Sequence, residues 1–212
     1  MRIDEDYFKV DNPMQHNTVE DILDEEETIL YRGKPNRKVL ILEAIFKGLP
    51  FVAIWAAFDI FFISSMIVAG AFKDDPKLLW IIIPFFAIHL FPLWAYIANV
   101  VKTVAAGKNI EYVFTDRRII VRSGMIGIDF KCIFYSDVEG INCKVGLFDR
   151  IYKVGDLYIK AKDQSAVLMN LENPYHLLSR LQKITHDIKT DIQYPNDLRP
   201  NENHGYNTKY KG

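Results

Sequence analysis

Two long apolar runs dominate the hydrophobic pattern of the chain, from residue 48 to 72 and from residue 78 to 101. A bilayer core about 30 Å thick needs roughly 20 apolar residues in a helix, so each run is long enough to cross it. Helices are expected because backbone groups in lipid must hydrogen-bond within their own segment. Only the short stretch "KDDPK" separates the runs. The pattern therefore predicts a two-helix transmembrane hairpin over residues 48–101.

After residue 101 the pattern changes to an alternation of apolar and polar residues, which is typical of strands. The stretch "NIEYVFTDRRIIVRSG" predicts two strands joined by a turn at "TDRR". Further predicted strands are "DFKCIFY", "VEGINCKV", "DLYIKA" and "SAVLMNL". Several short strands at regular spacing favour a small antiparallel sandwich or barrel.

The last element is predicted to be an amphipathic helix, because Asn173 and Pro174 suit its N-cap and its first position. The apolar residues that then recur at helical spacing are Tyr175, Leu178, Leu181, Ile184 and Ile188. The predicted fold class is therefore a membrane α-hairpin plus a mainly-β domain, an antiparallel sandwich or barrel that a C-terminal helix closes.

Residues 102–189 resemble the bacterial pleckstrin-homology-like (PH-like) domain found in small membrane proteins of unknown function. The resemblance rests on "YVFTDRRIIVRSG", "YSDVEGI", "LFDRIYKVGDLYI" and "LENPYHLLSRL", which occur in this order. With the predicted hairpin included, it extends from about residue 27 to residue 189. It implies a PH-like fold for the mainly-β domain. The sequence departs from its relatives near Lys153, where they often have a second glycine.

The predicted organisation has five parts. An acidic flexible tail covers residues 1–27, and a juxtamembrane basic segment covers residues 28–47. The transmembrane hairpin at 48–101 and the PH-like domain at 102–189 follow. A second flexible tail covers residues 190–212.

Charge is uneven along the chain, although the net charge is −1 and the mean hydropathy is −0.01. Residues 1–27 contain ten Asp and Glu against Arg2 and Lys9, a net charge of −8, which leaves +7 for residues 28–212. Basic residues flank both apolar runs on the sides away from "KDDPK". Because positively charged flanks favour the cytoplasm, we expect a multi-pass protein of the cell (inner or plasma) membrane with both termini and the PH-like domain cytoplasmic.

Two ionisable residues interrupt the apolar runs, Asp59 in the first and His89 in the second. Their depths, counted from the loop at 1.5 Å per residue, differ by about 3 Å, so we expect an intramembrane polar pair. Pro92 leaves the Ile88 carbonyl without its helical donor, and a protonated Asp59 or His89 can satisfy it. Two interpretations remain open: polar glue that fixes the packing of the hairpin, or a proton or ion relay that also uses Tyr96.

Basic residues on the predicted strands suggest a second kind of site. Arg117, Arg118, Arg122 and Lys131 are the candidates for contact with anionic phospholipid or with a partner. A basic surface held near an anionic leaflet is attracted to it. A solvated, charge-balanced face is the alternative interpretation.

Familiar motifs for catalysis, metal binding and nucleic-acid binding are missing from the sequence. The five histidines lie far apart, HExxH, GxSxG and the phosphate-binding GxxxxGK[ST] do not occur, and the two cysteines lack CxxC spacing. We therefore expect no enzymatic activity, no catalytic residues, no cofactor, no metal and no nucleic-acid partner.

The two cysteines are predicted to be cross-strand neighbours. Cys132 and Cys143 are equidistant from a turn near residue 137, if "DFKCIFY" and "VEGINCKV" form a hairpin. In a reducing cytoplasm we expect them to remain thiols.

Three functions remain open. The first is a membrane-anchored, cytoplasm-facing PH-like scaffold or interaction module that binds a protein partner through exposed strand edges, or self-assembles as a homo-oligomer. The second is a peripheral reader of anionic lipid in the inner leaflet. The third is an oligomeric ion or proton conduit that uses Asp59 and His89. The lipid bilayer is an expected partner in each.

Overall fold

The computed structural model of the chain describes residues 18–71 and 76–194. The parts of the two predicted tails at residues 1–17 and 195–212, and most of the "KDDPK" loop, lie outside the described residues.

The described residues form five α-helices and seven strands, together with short 3₁₀ turns. The helices are α1 (Arg37–Val68), α2 (Leu79–His89), α3 (Phe91–Gly107), α4 (Leu147–Tyr152) and α5 (Pro174–Gln193). The strands are β1 (Ile29–Gly33), β2 (Glu111–Thr115), β3 (Arg118–Ser123), β4 (Asp129–Phe134), β5 (Val138–Lys144), β6 (Val154–Ala161) and β7 (Ser165–Glu172). Every strand predicted after residue 101 is present, and so is the C-terminal helix.

The strands form two antiparallel sheets, which is the layout expected of a PH-like domain. The first sheet has the order β1-β2-β3-β4 and the second has the order β5-β6-β7. Their inward side chains meet in one core, in which Ile119 and Ile133 face Leu157 and Leu168. Helix α5 closes this core with an apolar stripe that includes Leu181. The alternation of apolar residues along the strands therefore has its expected cause, burial of one face of each sheet.

Strand β1 lies upstream of the long helices and was not predicted. It pairs with β2 in antiparallel register, with Tyr31 opposite Phe114 and their rings stacked at 4.9 Å between centroids. Part of the predicted juxtamembrane segment at 28–47 is therefore the first strand of the PH-like domain. The helices α1 to α3 are inserted between the first two strands of one sheet.

The segment formed by residues 18–28, here called the acidic segment, packs on the first sheet. A 3₁₀ turn spans Val19–Ile22, and Val19 is buried against Val113 and Ile120. Residues 18–27 were expected to belong to a flexible tail. The structure differs there because Val19 fills an apolar site on the face of the sheet that is opposite the main core.

Helix α1 is one continuous helix of 32 residues, long and apolar enough to cross a bilayer. Helices α2 and α3 meet that criterion of length and composition together, as a pair bent by 42° at Leu90. Glycines let α1 and α3 approach closely: a Cβ on Gly48 would lie 2.9 Å from the Tyr96 ring, and Gly107 packs on Leu40.

The start of α1 is tied to the domain. Asn36 caps the helix by accepting hydrogen bonds from the Lys38 and Val39 N–H groups, and its own N–H donates to the Asn170 carbonyl at 2.8 Å. Further along, the Phe46 and Phe148 rings pack with their centroids 5.2 Å apart. Helix α1 therefore contacts both β7 and α4 before its apolar run begins.

The predicted pairing of the two cysteines is wrong. Cys132 lies in β4 of the first sheet, opposite Ile120, and Cys143 lies in β5 of the second sheet, opposite Leu157. At the 3₁₀ turn Tyr135–Asp137 the chain passes from one sheet to the other instead of folding back as a hairpin. Both thiols are free.

Candidate functional site

The structure brings Asp59 and His89 into contact between α1 and α2. His89 Nε2 lies 3.1 Å from Asp59 Oδ1. Asp59 is only 4% exposed, although most of its neighbours in α1 are exposed. The two atoms are close, but their geometry is not that of a hydrogen bond, and both buried Asp59 oxygens have no hydrogen-bond partner among the described residues.

Aromatic rings enclose the imidazole of His89. The Trp55 ring stacks on it with centroids 4.8 Å apart, and the Phe85 ring stacks at 5.2 Å. Trp55 Nε1 also donates to the His89 carbonyl oxygen at 3.2 Å. The contact between α1 and α2 therefore combines a carboxyl–imidazole pair with an indole hydrogen bond.

The indole hydrogen bond lies where α2 ends and α3 begins. Leu90 separates the two helices, and Pro92 occupies the first turn of α3, where a missing N–H is tolerated. The carbonyl that receives a side-chain donor is that of His89, not of Ile88 as predicted. The predicted role for Asp59 or His89 at the Ile88 carbonyl is therefore not found among the described hydrogen bonds.

The contact places the only carboxyl group and the only imidazole described in these three helices' apolar runs next to each other. Two polar groups that meet in this way avoid the cost of burying either one alone among apolar side chains. Tyr96, the third member of the relay interpretation, lies about 10 Å further along the helix at 1.5 Å per residue. Its hydroxyl donates to the Ile45 carbonyl at 2.7 Å, so the structure does not bring it to the pair.

Arg118, a predicted contact for lipid or a partner, is held by the acidic segment. Its Nε donates to Glu27 Oε1 at 2.9 Å, and its Nη2 donates to Glu27 Oε2 at 2.6 Å and to the Ile22 carbonyl at 2.7 Å. Thr115 Oγ1 donates to Glu27 Oε1 at 2.7 Å. The Arg118 guanidinium also lies 5.6 Å from the centre of the Phe134 ring.

The environment of Glu27 favours its charged form. Burial by itself would raise the pKa of Glu27, but the hydrogen bonds from Arg118 and Thr115 outweigh it and hold the pKa below its usual range. The side chain of Glu27 is fully buried, and that of Arg118 is nearly so. This is a buried, bidentate ion pair, which is among the stronger kinds of side-chain contact.

Arg117 is also engaged by the acidic segment. Its Nη1 donates to Asp24 Oδ2 at 2.9 Å. Arg32 of β1 binds Glu20 in the same segment. Three arginines, two on the first sheet and one in the turn before β3, are thus bound by acidic residues that sequence reasoning had assigned to a tail. The opposite charges of residues 1–27 and of the rest of the chain were the signal that could have found these contacts.

The other two predicted contact residues have partners as well. Arg122 Nη1 lies 3.7 Å from Glu111 Oε2 on the neighbouring strand. Lys131 Nζ donates to the Ser165 carbonyl at 2.7 Å. The four predicted residues lie on β3, β4 and the turn before β3, but each is bound within the chain.

A cluster of polar side chains joins α1 to the second sheet. Asn170 has a left-handed backbone with φ of 54°, its N–H donates to Asp156 Oδ1 at 2.9 Å, and its Nδ2 donates to Glu43 Oε2 at 3.3 Å. Burial and the nearby Asp149 carboxylate raise the pKa of Asp156. Beside the cluster is a cavity of about 400 Å³, lined by Glu43, Phe46, Lys47 and Phe148.

Three of the four edge strands have a main-chain group that is hydrogen-bonded to a side chain. Gln164 donates to a main-chain carbonyl of β4, and Lys189 donates to one of β5. The Tyr112 hydroxyl accepts from a main-chain N–H of β7. For β1, no described hydrogen bond connects a side chain to its main chain, and Leu30 on this strand is 51% exposed. Among the described edge strands, β1 is therefore the one whose main chain makes no hydrogen bond to a side chain, and we call it the open edge.

Across residues 18–71 and 76–194, no three His, Cys, Asp or Glu side chains are arranged to hold a metal ion.

Comparison with protein families gives a match to the family described as "Bacterial PH domain" over residues 44–189, which is more than half of the chain. Comparison with curated proteins gives no match, and comparison with solved structures gives none either. The matched region includes β2 to β7 and most of the closing helix α5. Strand β1 and the acidic segment lie upstream of it. On the family match and the two-sheet layout, the chain belongs to the bacterial PH domain family.

Proposed function

We propose that the chain is a membrane-anchored interaction module. Helix α1 and the bent pair α2–α3 cross the bilayer as a hairpin, and the PH-like domain lies on the cytoplasmic side, where it binds a protein partner or a second copy. In this proposal the protein is not an enzyme and uses no cofactor. Asp59 and His89 act as polar glue between the helices.

The observation that carries the proposal is the continuity of α1. The same helix that is capped at Asn36 and packed on the domain continues into the apolar run without a break. Exposed large apolar side chains cover its second half, for example Phe58, Phe61 and Ile67. Contiguous apolar surface of this kind requires a covering, and lipid suits a helix of this length.

Charge supports the orientation. Arg37 and Lys38 begin α1, and Lys102 and Lys108 lie at the end of α3, all on the side of the PH-like domain. Basic residues next to a span favour the cytoplasmic side. The domain division proposed is therefore a hairpin inserted into a cytoplasmic domain that also includes β1.

The open edge of β1 supports a partner that adds as a strand. Main-chain hydrogen bonds to an exposed edge supply affinity, and alternate side chains supply specificity. Both the partner-binding and the self-assembling form of the proposal use this edge. They differ in the mass of the complex, because a second copy adds 24.6 kDa.

The test is photo-crosslinking in native membranes, with the photoreactive residue at Leu30 and a matched control at the exposed Tyr175 of α5. We expect a discrete adduct from Leu30 and none from Tyr175. Adducts at both positions, or at neither, would count against binding at this edge. A cysteine in the "KDDPK" loop that reacts with an impermeant reagent only from inside would overturn the orientation.

The two other functions receive less support. Reading of anionic lipid by Arg117, Arg118, Arg122 and Lys131 would require these residues to leave the partners described above. A conduit through Asp59 and His89 would require several copies, since two spans per chain do not enclose a path. Binding of the PH-like domain to anionic vesicles at low salt would support lipid reading. An ion or proton flux that is lost in the D59L variant would support the conduit.

A further inference from the structure

Helix α4 has an apolar surface that no part of the described chain covers. Leu147 is 76% exposed and Ile151 is 69% exposed. They are four residues apart in a helix, so they lie on the same face, one turn apart. On another side of α4, Phe148 packs on Phe46 of α1. Two large aliphatic side chains that point away from their own domain require a different explanation from packing.

The position of α4 along α1 provides an explanation for these exposed side chains. Phe46, its contact on α1, lies two residues before Gly48, where the first apolar run begins, or about 3 Å along the helix axis. Phe51, one turn beyond Gly48, is exposed on the apolar part of α1. Helix α4 therefore lies at the level along α1 where the apolar run begins, which the proposed function places at the lipid headgroups.

The charged residues around α4 suit a position at the level of the lipid headgroups. Three basic residues are exposed near this surface: Lys47 on the adjacent turn of α1, Arg150 on α4, and Lys153 directly after α4. The acidic residue of α4, Asp149, is buried and turned inward, where its Oδ2 accepts a hydrogen bond from the Gly146 N–H at 2.7 Å. The outward surface of α4 is therefore apolar in its middle and cationic at its rim, which is complementary to anionic headgroups over acyl chains.

We propose that α4 is an interfacial membrane helix. Leu147 and Ile151 insert at the boundary of headgroups and acyl chains in the leaflet from which α1 emerges, and Lys47, Arg150 and Lys153 contact anionic headgroups. The inference rests on the proposed function, because it requires α1 to cross the bilayer. Two aliphatic side chains bind a membrane weakly on their own. They suffice here because α1 keeps them at the surface at high effective concentration.

The orientation that follows is specific. Contact through both α1 and α4 prevents the PH-like domain from rotating about the axis of α1. The open edge of β1 is then presented to the cytoplasm in one fixed direction relative to the membrane.

The experiment measures lipid depth in the full chain reconstituted in vesicles. Cys132 and Cys143 are replaced by Ser, and a single cysteine labelled with an environment-sensitive fluorophore is placed in turn at Leu147, at Ile60 and at Ile126. Ile60 is exposed in the middle of α1, and Ile126 is 95% exposed on the loop between β3 and β4. Quenching by lipids with a spin label at a shallow or a deep acyl position reports depth.

We expect the label at Leu147 to be quenched by the shallow lipid, several-fold more strongly in vesicles with phosphatidylglycerol than in pure phosphatidylcholine. The label at Ile60 should be quenched by the deep lipid, and the label at Ile126 by neither. If Ile60 is quenched and Leu147 is not, the inference fails while the membrane anchor stands. If Ile60 is not quenched, the anchor itself fails. A blue shift at Leu147 without lipid quenching would mean that protein covers this face, and it would also overturn the inference.

Discussion

Arg118 binds Glu27 through two hydrogen bonds of 2.9 and 2.6 Å, although 91 residues separate them along the chain. The pair connects the acidic segment before the long helices to a strand after them. The Glu27 side chain is fully buried, so water cannot replace Arg118 as its partner while the domain stays folded. The acidic segment is in this respect part of the PH-like domain.

The first prediction is that E27Q destabilises the domain by about 3 kcal/mol. Removal of one charge leaves Arg118 buried without its counter-ion, and breaking a buried pair typically costs about 3–5 kcal/mol. Gln retains an acceptor, which puts the expected value at the lower end. Chemical unfolding of the detergent-solubilised chain, followed through the signal of the sheets, measures it.

D24N is the matched control for E27Q. Asp24 also binds an arginine, the neighbouring Arg117, but the Asp24 side chain is 59% exposed. We expect a loss of about 0.5 kcal/mol or less, since exposed ion pairs contribute little. Equal effects of D24N and E27Q would mean that burial does not distinguish the two pairs.

The second prediction concerns the stability of the domain at low pH. The pKa of Glu27 in the folded state lies below its ordinary value of 4.5. The stabilisation from its charged form is therefore fully present above pH 4.5 and is lost as the pH falls through the folded-state pKa. Unfolding free energy measured against pH should fall more steeply for the wild type than for E27Q. Parallel pH curves would exclude Glu27 as the titrating group.

The third prediction is energetic coupling between Asp59 and His89. D59L and H89L should each change the stability of the hairpin, and the double variant should differ from their sum by about 1 kcal/mol, the size typical of polar contacts between membrane helices. Unfolding in bicelles measures the cycle. S65A combined with D59L is the control, because the Ser65 hydroxyl donates within its own helix to the Phe61 carbonyl. An additive Asp59–His89 cycle would remove the polar-glue interpretation.

The fourth prediction contrasts two glycines of one loop. Gly124 has a φ of 129°, and a Cβ there would lie 2.1 Å from the Gly127 carbonyl oxygen, so G124A should cost about 2 kcal/mol or more. At Gly127 a Cβ would meet no atom within 4 Å. G127A should stay within about 0.5 kcal/mol of the wild type. Thermal unfolding of both variants tests this, and a similar loss in both would show that the loop is not constrained at Gly124.

The fifth prediction concerns Lys153, the residue that follows α4. Lys153 ends α4 in the left-handed conformation, with φ of 56°. K153G should stabilise the domain by about 0.5–1 kcal/mol, because glycine adopts this conformation without the steric penalty of a Cβ. K153A retains the Cβ and should give no such gain. Equal stability of the two variants in thermal unfolding would contradict the explanation.

The parts of the fold that local patterns predict are those whose partners are close in sequence. Strands β2 and β3 are joined by a tight turn, and the alternation of Tyr112, Phe114, Ile119 and Val121 reports their buried face. The depth count that placed Asp59 beside His89 agrees with their 3.1 Å contact, because few residues separate the two helices along the chain.

The features that local sequence patterns did not predict depend on contacts between residues far apart in the chain. Strand β1 is five residues long, and only its pairing with β2 makes it a strand. The pairing of the cysteines failed because a three-residue 3₁₀ turn sends the chain to the other sheet. At α5, Leu177 is buried and Tyr175 is exposed, the reverse of the predicted stripe at that end. Asn173 is the N-cap and Pro174 the first helical residue, as predicted, but Asn173 has a left-handed conformation and its side chain makes no capping hydrogen bond.

The insertion of α1 to α3 between β1 and β2 has a consequence for synthesis. Strand β1 leaves the ribosome first, but its partner begins at Glu111, so the 77 residues from 34 to 110 must be translated before the two can pair. During that interval β1 and the acidic segment wait without Phe114, Arg118 or any other partner from the later strands. Completion of the first sheet is therefore a late step in synthesis: β1 can pair with β2 only after all three long helices have been translated.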